Sequence, residues 1–181
     1  LLPFRDSTFL NHLITVFRPR VDPLIVVLGH HAAQIAPSLE VQAGAVKVIV
    51  NANYKQGMLT SLQAGLGAVP LEASAIMFTL VDHPAVRPET IDRLIEEFQT
   101  GGSALAVPRY GERRGHPVIL SRSVAGEVLA LPPESSAKEV IRSHQGETLF
   151  LDADDPGVLC DVDLPSDYQA LLGDRGAVSN P

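Results

Sequence analysis

Two acidic clusters and one basic stretch hold the side chains of this sequence best suited to chemistry. Asp82 directly follows the apolar run Ala75-Ile76-Met77-Phe78-Thr79-Leu80-Val81 and precedes His83-Pro84. A carboxylate at the carboxyl end of a buried strand is placed to hold a hard cation such as Mg²⁺, which takes one or two carboxylates together with substrate phosphates. The same position also suits an aspartate that builds the turn by accepting backbone N–H bonds. The second cluster is Asp161-Val162-Asp163, with Asp167 beyond Pro165. Alternation along an extended segment puts Asp161 and Asp163 on one side, where both can face one cation. Asp163 is equally suited to cap the helix that Pro165 opens, and Asp167 reads as a solvated first-turn acid.

Arg109, Arg113, Arg114 and His116 lie between Pro108 and Pro117 in an otherwise acidic chain. The guanidinium fork donates two parallel bonds to phosphate oxygens, which makes these arginines candidates for a phosphate clamp; a solvated charge run is the plainer alternative. His116, between Gly115 and Pro117, reads as pinned in a turn. The stretch from Asn51 through Gly57 to Ser61-Leu62 reads as a loop running into a helix. Gly57 there allows close backbone approach, and Thr60 and Ser61 fall near a helix N-terminus, where anions are favoured. His30-His31 reads as structural, because adjacent residues seldom face one ion, and Cys160 as a small buried side chain.

The elements that must position these groups alternate in type. A helix capped by Ser7 or Thr8 carries Leu10, Leu13, Ile14 and Phe17 at helical spacing until Pro19 stops it. Strands are predicted at Leu24–Leu28, Val46–Val50, Ala75–Val81, Ala104–Val107, Val118–Leu120, Thr148–Leu151 and Val158–Val162. Between them, helices are predicted at His31–Leu39 (bent at Pro37), Leu59–Val69, Pro88 to Gly101-Gly102, Val124–Leu131, Ala137–His144 and Pro165–Leu172, with Pro108–Pro117 as a loop. Strands alternating with helices predict an α/β fold, a three-layer α/β/α sandwich around a Rossmann-like, mostly parallel sheet, in which the stretch from Ala104 to Leu131 has room for an antiparallel strand. Ligands of such sheets bind beyond the carboxyl ends of the strands, where Asn51, Asp82 and Asp161 fall.

Composition narrows the function classes. The 181 residues carry 14 basic and 21 acidic side chains, a net charge of −7, which excludes a nucleic-acid surface as the expected partner. No apolar run approaches the roughly 20 residues of a membrane helix, and no basic segment followed by an apolar one opens the chain as a signal peptide would. One cysteine leaves no internal disulfide and no cysteine-based zinc site, which suits a reducing cytoplasm. One domain is expected over residues 1–172, with 173–181 as a flexible tail. Because residue 1 is leucine, the chain is expected to be a fragment.

Taken in order, these pieces resemble a nucleotidyltransferase of the molybdenum cofactor cytidylyltransferase type. The resemblance is carried by Leu1-Leu2-Pro3-Phe4, Val26-Val27-Leu28-Gly29-His30, the Asn51–Leu62 stretch, Leu80-Val81-Asp82-His83-Pro84, Arg113-Arg114-Gly115-His116-Pro117-Val118, and Asp155-Pro156-Gly157-Val158-Leu159 with Asp161 through Tyr168. It implies the fold of the nucleotide-diphospho-sugar transferases and Mg²⁺ held by Asp82, Asp161 and Asp163, with Asp82 as the catalytic residue. It implies nucleotide contacts at Asn51, Gly57 and Ser61 and acceptor contacts at Arg113, Arg114 and His116. The implied reaction moves CMP from CTP onto a phosphorylated acceptor, molybdopterin, with release of pyrophosphate, and the implied protein partner is a molybdoenzyme or its chaperone. That family opens with a strand and a Gly-rich loop that cradles the triphosphate; the matching segment would precede Leu1, so this chain alone is expected to bind nucleotide poorly. The sequence departs from the family pattern at Val81-Asp82-His83-Pro84, where a Gly or Ala before the aspartate is more usual. Three other readings stay open: a transferase acting on another phosphorylated acceptor, a non-catalytic binding module derived from one, and a dinucleotide-dependent oxidoreductase. The last requires a G-x-G-x-x-G motif that Leu28-Gly29-His30-His31 does not supply.

Overall fold

A computed structural model describes residues 2–40, 44 and 46–173. The chain opens with the short antiparallel pair β1 (Pro3–Phe4) and β2 (Ser7–Thr8), from which Thr8 caps α1 (Phe9–Phe17) by accepting the Asn11 N–H at 3.3 Å. Then come β3 (Ile25–Leu28), α2 (Ala32–Ile35), β4 (Lys47–Val50), α3 (Met58–Gly67), β5 (Ala75–Phe78) and α4 (Pro88–Gly101), the last with Pro88 in its first turn and Gly102 in the left-handed conformation beyond its end. The second half holds β6 (Leu105–Tyr110), β7 (Arg113–Arg114), β8 (Val118–Ser121), α5 (Arg122–Leu129), α6 (Ala137–Ser143), β9 (Thr148–Asp152) and α7 (Pro165–Gly173).

The larger sheet runs β5-β8-β6-β7, with β9 on β6. Strand β8 pairs antiparallel with both β5 and β6, and β9 pairs parallel with β6, so β5, β6 and β9 share one direction. The period of two then sorts side chains onto two faces. Leu105, Val107, Val118, Leu120, Ile76 and Phe78 meet α3, α5 and α6 through Leu59, Leu66, Val124, Val128 and Val140. Ala106, Ile119, Met77, Leu149 and Leu151 meet α4 through Leu94, Ile95 and Phe98. This is the expected three-layer α/β/α arrangement, and β8 is its antiparallel strand.

Strands β3 and β4 form a separate parallel pair. Two helices tie that pair to the larger sheet, one on each face. α1 lays Ile14 on Val26 and Leu28, and sets Leu13, Val16 and Phe17 against Ile91 of α4 and Met77 of β5. On the other face, Gly65 of α3 lies 3.1 Å, measured from an ideal Cβ, from Val27. Between the two sheets lies a cleft of about 1430 Å³, lined on one side by Leu24 to Val27 and on the other by Ala75 to Phe78.

Three expectations need correction. The strand predicted to run to Val81 stops at Phe78, so Asp82 stands in the turn that follows rather than at the last strand position. The predicted Pro108–Pro117 loop is partly ladder: β6 continues to Tyr110, and β7 returns beside it, pairing Arg109 with Arg114 and Tyr110 with Arg113. Val158–Val162 is not a strand; Pro156–Leu159 is a 3-10 turn, and residues 160–163 follow without a ladder. The cause is local, since the Asp155 carboxylate accepts the Gly157 N–H at 2.9 Å and curls the chain at Pro156. Helix α7 includes Gly173, and the rest of the expected tail, 174–181, lies outside the described residues.

That closing segment is tied to the rest of the molecule by one buried carboxylate and two close backbone approaches. Asp155, 2% exposed, also accepts the Arg87 N–H at 2.9 Å and the Thr90 hydroxyl at 2.8 Å, at the entrance to α4. A Cβ on Gly157 would stand 2.2 Å from the Ala85 carbonyl oxygen, and one on Gly115 would stand 2.1 Å from that of Val158. Asp155→Ala is expected to cost roughly 2–4 kcal/mol by leaving buried donors unpaired, and Gly115→Ala roughly 1–3 kcal/mol by forcing backbone apart. Urea denaturation checks both, and an unchanged midpoint for either variant would contradict the corresponding contact.

Candidate active site

Beyond β5 the chain enters a turn closed by the His83 N–H on the Leu80 carbonyl, 3.3 Å. Opposite it, the Val162 N–H donates to the Asp82 carbonyl at 3.1 Å, which draws the closing segment alongside. One ligand atom from each of Asp82, His83 and Asp161 therefore lies within 4.8 Å of the others. Asp163 lines the same cleft but does not join that trio. Burial holds the half-buried Asp82 carboxyl above the usual carboxylate range; His83 pulls it down, and the negative charges of Asp161 and Asp163 push it up.

Several polar atoms here are buried without a hydrogen-bond partner among the described residues: Asp82 Oδ1, His83 Nδ1, Thr79 Oγ1 and His116 Nδ1. Buried polar groups are ordinarily satisfied, so such a concentration marks a place where a ligand or ion completes the set. Two carboxylates and an imidazole are a donor set that fits a divalent cation. The His83 ring, 8% exposed, packs on His116 with centroids 4.6 Å apart, and His116 in turn meets Phe78 edge-on at 5.7 Å. Burial, with His83 beside it, pushes the His116 imidazole down to about 4, so it is neutral at physiological pH.

The loop into α3 lines the same cleft at Gln56, Gly57, Met58 and Ser61. Asn51, 6% exposed, donates from Nδ2 to the Thr60 hydroxyl at 2.9 Å and the Ser61 hydroxyl at 3.0 Å, and its Oδ1 accepts the Asn53 N–H at 2.9 Å. Its amide is thus engaged in shaping the loop. Gly57 has φ 120° and ψ 170°, and an added Cβ would meet nothing within 4 Å. The backbone conformation by itself calls for glycine at this position. No side chain caps α3 and no acid stands in its first turn, so the positive end of the helix dipole is left open beside Gly57 and Ser61, both of which line the cleft.

The structure thus gathers Asp82, Asp161, Asp163, His116, Gly57 and Ser61 around one cleft. Arg113 and Arg114 do not line it; both are exposed on β7, and the Arg114 guanidinium sits over the Phe150 ring, 4.6 Å from its centroid. Arg109 is engaged with the Asp152 carboxylate. His30 bonds the Tyr54 hydroxyl at 3.1 Å, and Cys160 packs beside Phe4, Phe9 and Val162. Two contributors were missed from sequence: His83 as a buried nitrogen donor and Asp155 as the anchor of the closing segment. The signal for Asp155 was its place before Pro156-Gly157, the composition of a capped turn. For His83 it was only adjacency to Asp82.

The family model described as MobA-like NTP transferase domain matches residues 1–148. The molybdenum cofactor cytidylyltransferase of Escherichia coli (strain K12) is 23% identical over 168 residues, 93% of this chain and 83% of that protein. The crystal structure of Rv0371c from Mycobacterium tuberculosis H37Rv in complex with manganese superposes with a TM-score of 0.78 at 30% identity, covering 96% of this chain and 90% of that one. A nucleotidyl transferase from Methanothermobacter thermautotroptrophicus shares the fold, with a TM-score of 0.77 at 24% identity over 96% of this chain and 85% of its own. This chain belongs to the MobA-like NTP transferase domain family.

Proposed function

We propose that this nucleotidyltransferase-family domain transfers CMP from CTP to a phosphate of molybdopterin, releasing pyrophosphate. The observation that carries the reading is the convergence of Asp82 and Asp161 at a cleft that the open N-terminus of α3 also lines. A triphosphate is strongly anionic and this chain carries a net charge of −7, so its phosphates need local positive potential. The start of α3, with Ser61 and the Gly57 backbone, is suited to the nucleotide side. Asp82 and Asp161, with Asp163 behind them, would hold a divalent cation, Mg²⁺ in the simplest case. Such a cation supplies charge neutralisation to phosphates when bound. That the M. tuberculosis relative is in complex with manganese supports binding of a divalent ion by this chain. The likeness to the E. coli cytidylyltransferase supports CTP as donor and the molybdenum cofactor precursor as acceptor.

In the proposed reaction a phosphate oxygen of the acceptor attacks the α-phosphorus of the nucleotide. One P–O bond forms as the bond to pyrophosphate breaks, and the protein contributes positioning and electrostatics rather than covalent chemistry. Neutral His116 faces the cleft and can donate or accept a hydrogen bond toward the acceptor. Arg113 and Arg114, outside the cleft, fit a role at its approach at most. Pyrophosphate release from CTP in the presence of molybdopterin, assayed on the full natural protein, tests the reading. Asp82→Ala is expected to reduce turnover by at least about a hundredfold while the folded far-UV signal is kept. Retained turnover would refute the role given to Asp82, and release only with another acceptor would redirect the substrate assignment.

A further inference from the structure

The proposed Mg²⁺ site contains a donor that Mg²⁺ does not prefer. Mg²⁺ is a hard ion bound through one or two carboxylates, phosphates and water in near-ideal octahedral geometry. His83 brings an imidazole nitrogen within 4.8 Å of the ligand oxygens of Asp82 and Asp161, and it does so from a buried position, 8% exposed. Its Nδ1 has no hydrogen-bond partner among the described residues, and neither does Asp82 Oδ1. A buried ring nitrogen with no hydrogen-bond partner, beside two acidic side chains, is an expensive arrangement unless something it can bond arrives. The ring is also held in place: His116 packs on it at 4.6 Å, and Pro84, itself fully buried, follows it in the chain. The donor is therefore preoriented, with little freedom to turn away.

If the cluster holds the cation proposed above, we propose that it is a first-row transition-metal dication bound through a His83 ring nitrogen together with Asp82 and Asp161, so that His83 sets a preference for ions such as Mn²⁺ over Mg²⁺. Imidazole ligation favours transition dications, whereas sites made of oxygen donors alone suit Mg²⁺. Asp163, which lines the cleft outside the trio, remains available to accept a hydrogen bond from a metal-bound water.

Mn²⁺ titrated into the 181-residue chain, with free Mn²⁺ read by electron paramagnetic resonance and Mg²⁺ as competitor, tests this directly. Half-displacement of Mn²⁺ is expected to need at least about tenfold more Mg²⁺ than Mn²⁺, and His83→Asn is expected to weaken Mn²⁺ binding about tenfold or more while changing Mg²⁺ binding little. The unmodified protein gives a second readout that needs no variant to fold: Mn²⁺ bound at the site should show nitrogen modulation of its electron spin echo. Absence of that modulation from bound Mn²⁺, or an unchanged Mn²⁺-to-Mg²⁺ ratio in folded His83→Asn, would overturn the assignment of His83 and leave the carboxylate site standing. If the protein bound neither ion, the cation site itself would be refuted.

Discussion

One buried carboxylate holds the candidate site together. Asp155 accepts hydrogen bonds from the Arg87 and Gly157 backbones and from the Thr90 hydroxyl, joining the entrance of α4 to the closing segment of the chain. Asp82 and Asp161 are 79 positions apart in sequence and belong to those two segments. Neither acidic residue is placed by a strand, because both stand in irregular chain, where position depends on specific cross-links rather than on a ladder. The Asp155 bonds, the Val162 N–H on the Asp82 carbonyl, and the glycines at 115 and 157 that let backbones touch are those cross-links. The rigid sheet and helices supply the frame on which they act.

The electrostatics of the cleft follow from that arrangement. Burial raises the Asp82 carboxyl above its usual range; His83 opposes that rise, and the negative charges of Asp161 and Asp163 add to it. A dication would offset most of that negative charge and offer a phosphate a coordination position. The unopposed start of α3 lines the same cleft. His116, neutral beside His83, adds polarity without adding charge. The cleft therefore brings together a candidate cation site and a helix N-terminus, even though the chain as a whole is acidic.

Much of this was legible in the sequence. Continuous β-branched runs and helical spacing located the strands and helices of the three-layer fold, because those patterns reflect burial on two faces or on one. Asp82, Gly57 and Ser61 were legible because ligands of such sheets gather at strand ends and helix starts. The closing segment was misread because Val158 to Val162 has strand-like composition, while its conformation is decided by the Asp155 side chain curling the backbone at Pro156. Arg113 and Arg114, expected at the acceptor, stand on β7 beside β6 outside the cleft lining, with Arg114 over the Phe150 ring, because the loop expected there is partly ladder. His83 was passed over as a ligand because adjacency to Asp82 says nothing of ring direction, which here is set by packing on His116.

The central claim is that the Asp82–Asp161 pair and the start of α3 grip one nucleotide through its phosphates and a cation. An anomalous-difference map at the manganese edge, from crystals grown with CTP and Mn²⁺, tests it most directly. The account predicts a single strong peak within ligand distance of both the Asp82 and Asp161 carboxylates, with the triphosphate lying between that peak and the Gly57–Ser61 turn. A peak elsewhere, or CTP bound with no ion beside Asp82, would contradict it.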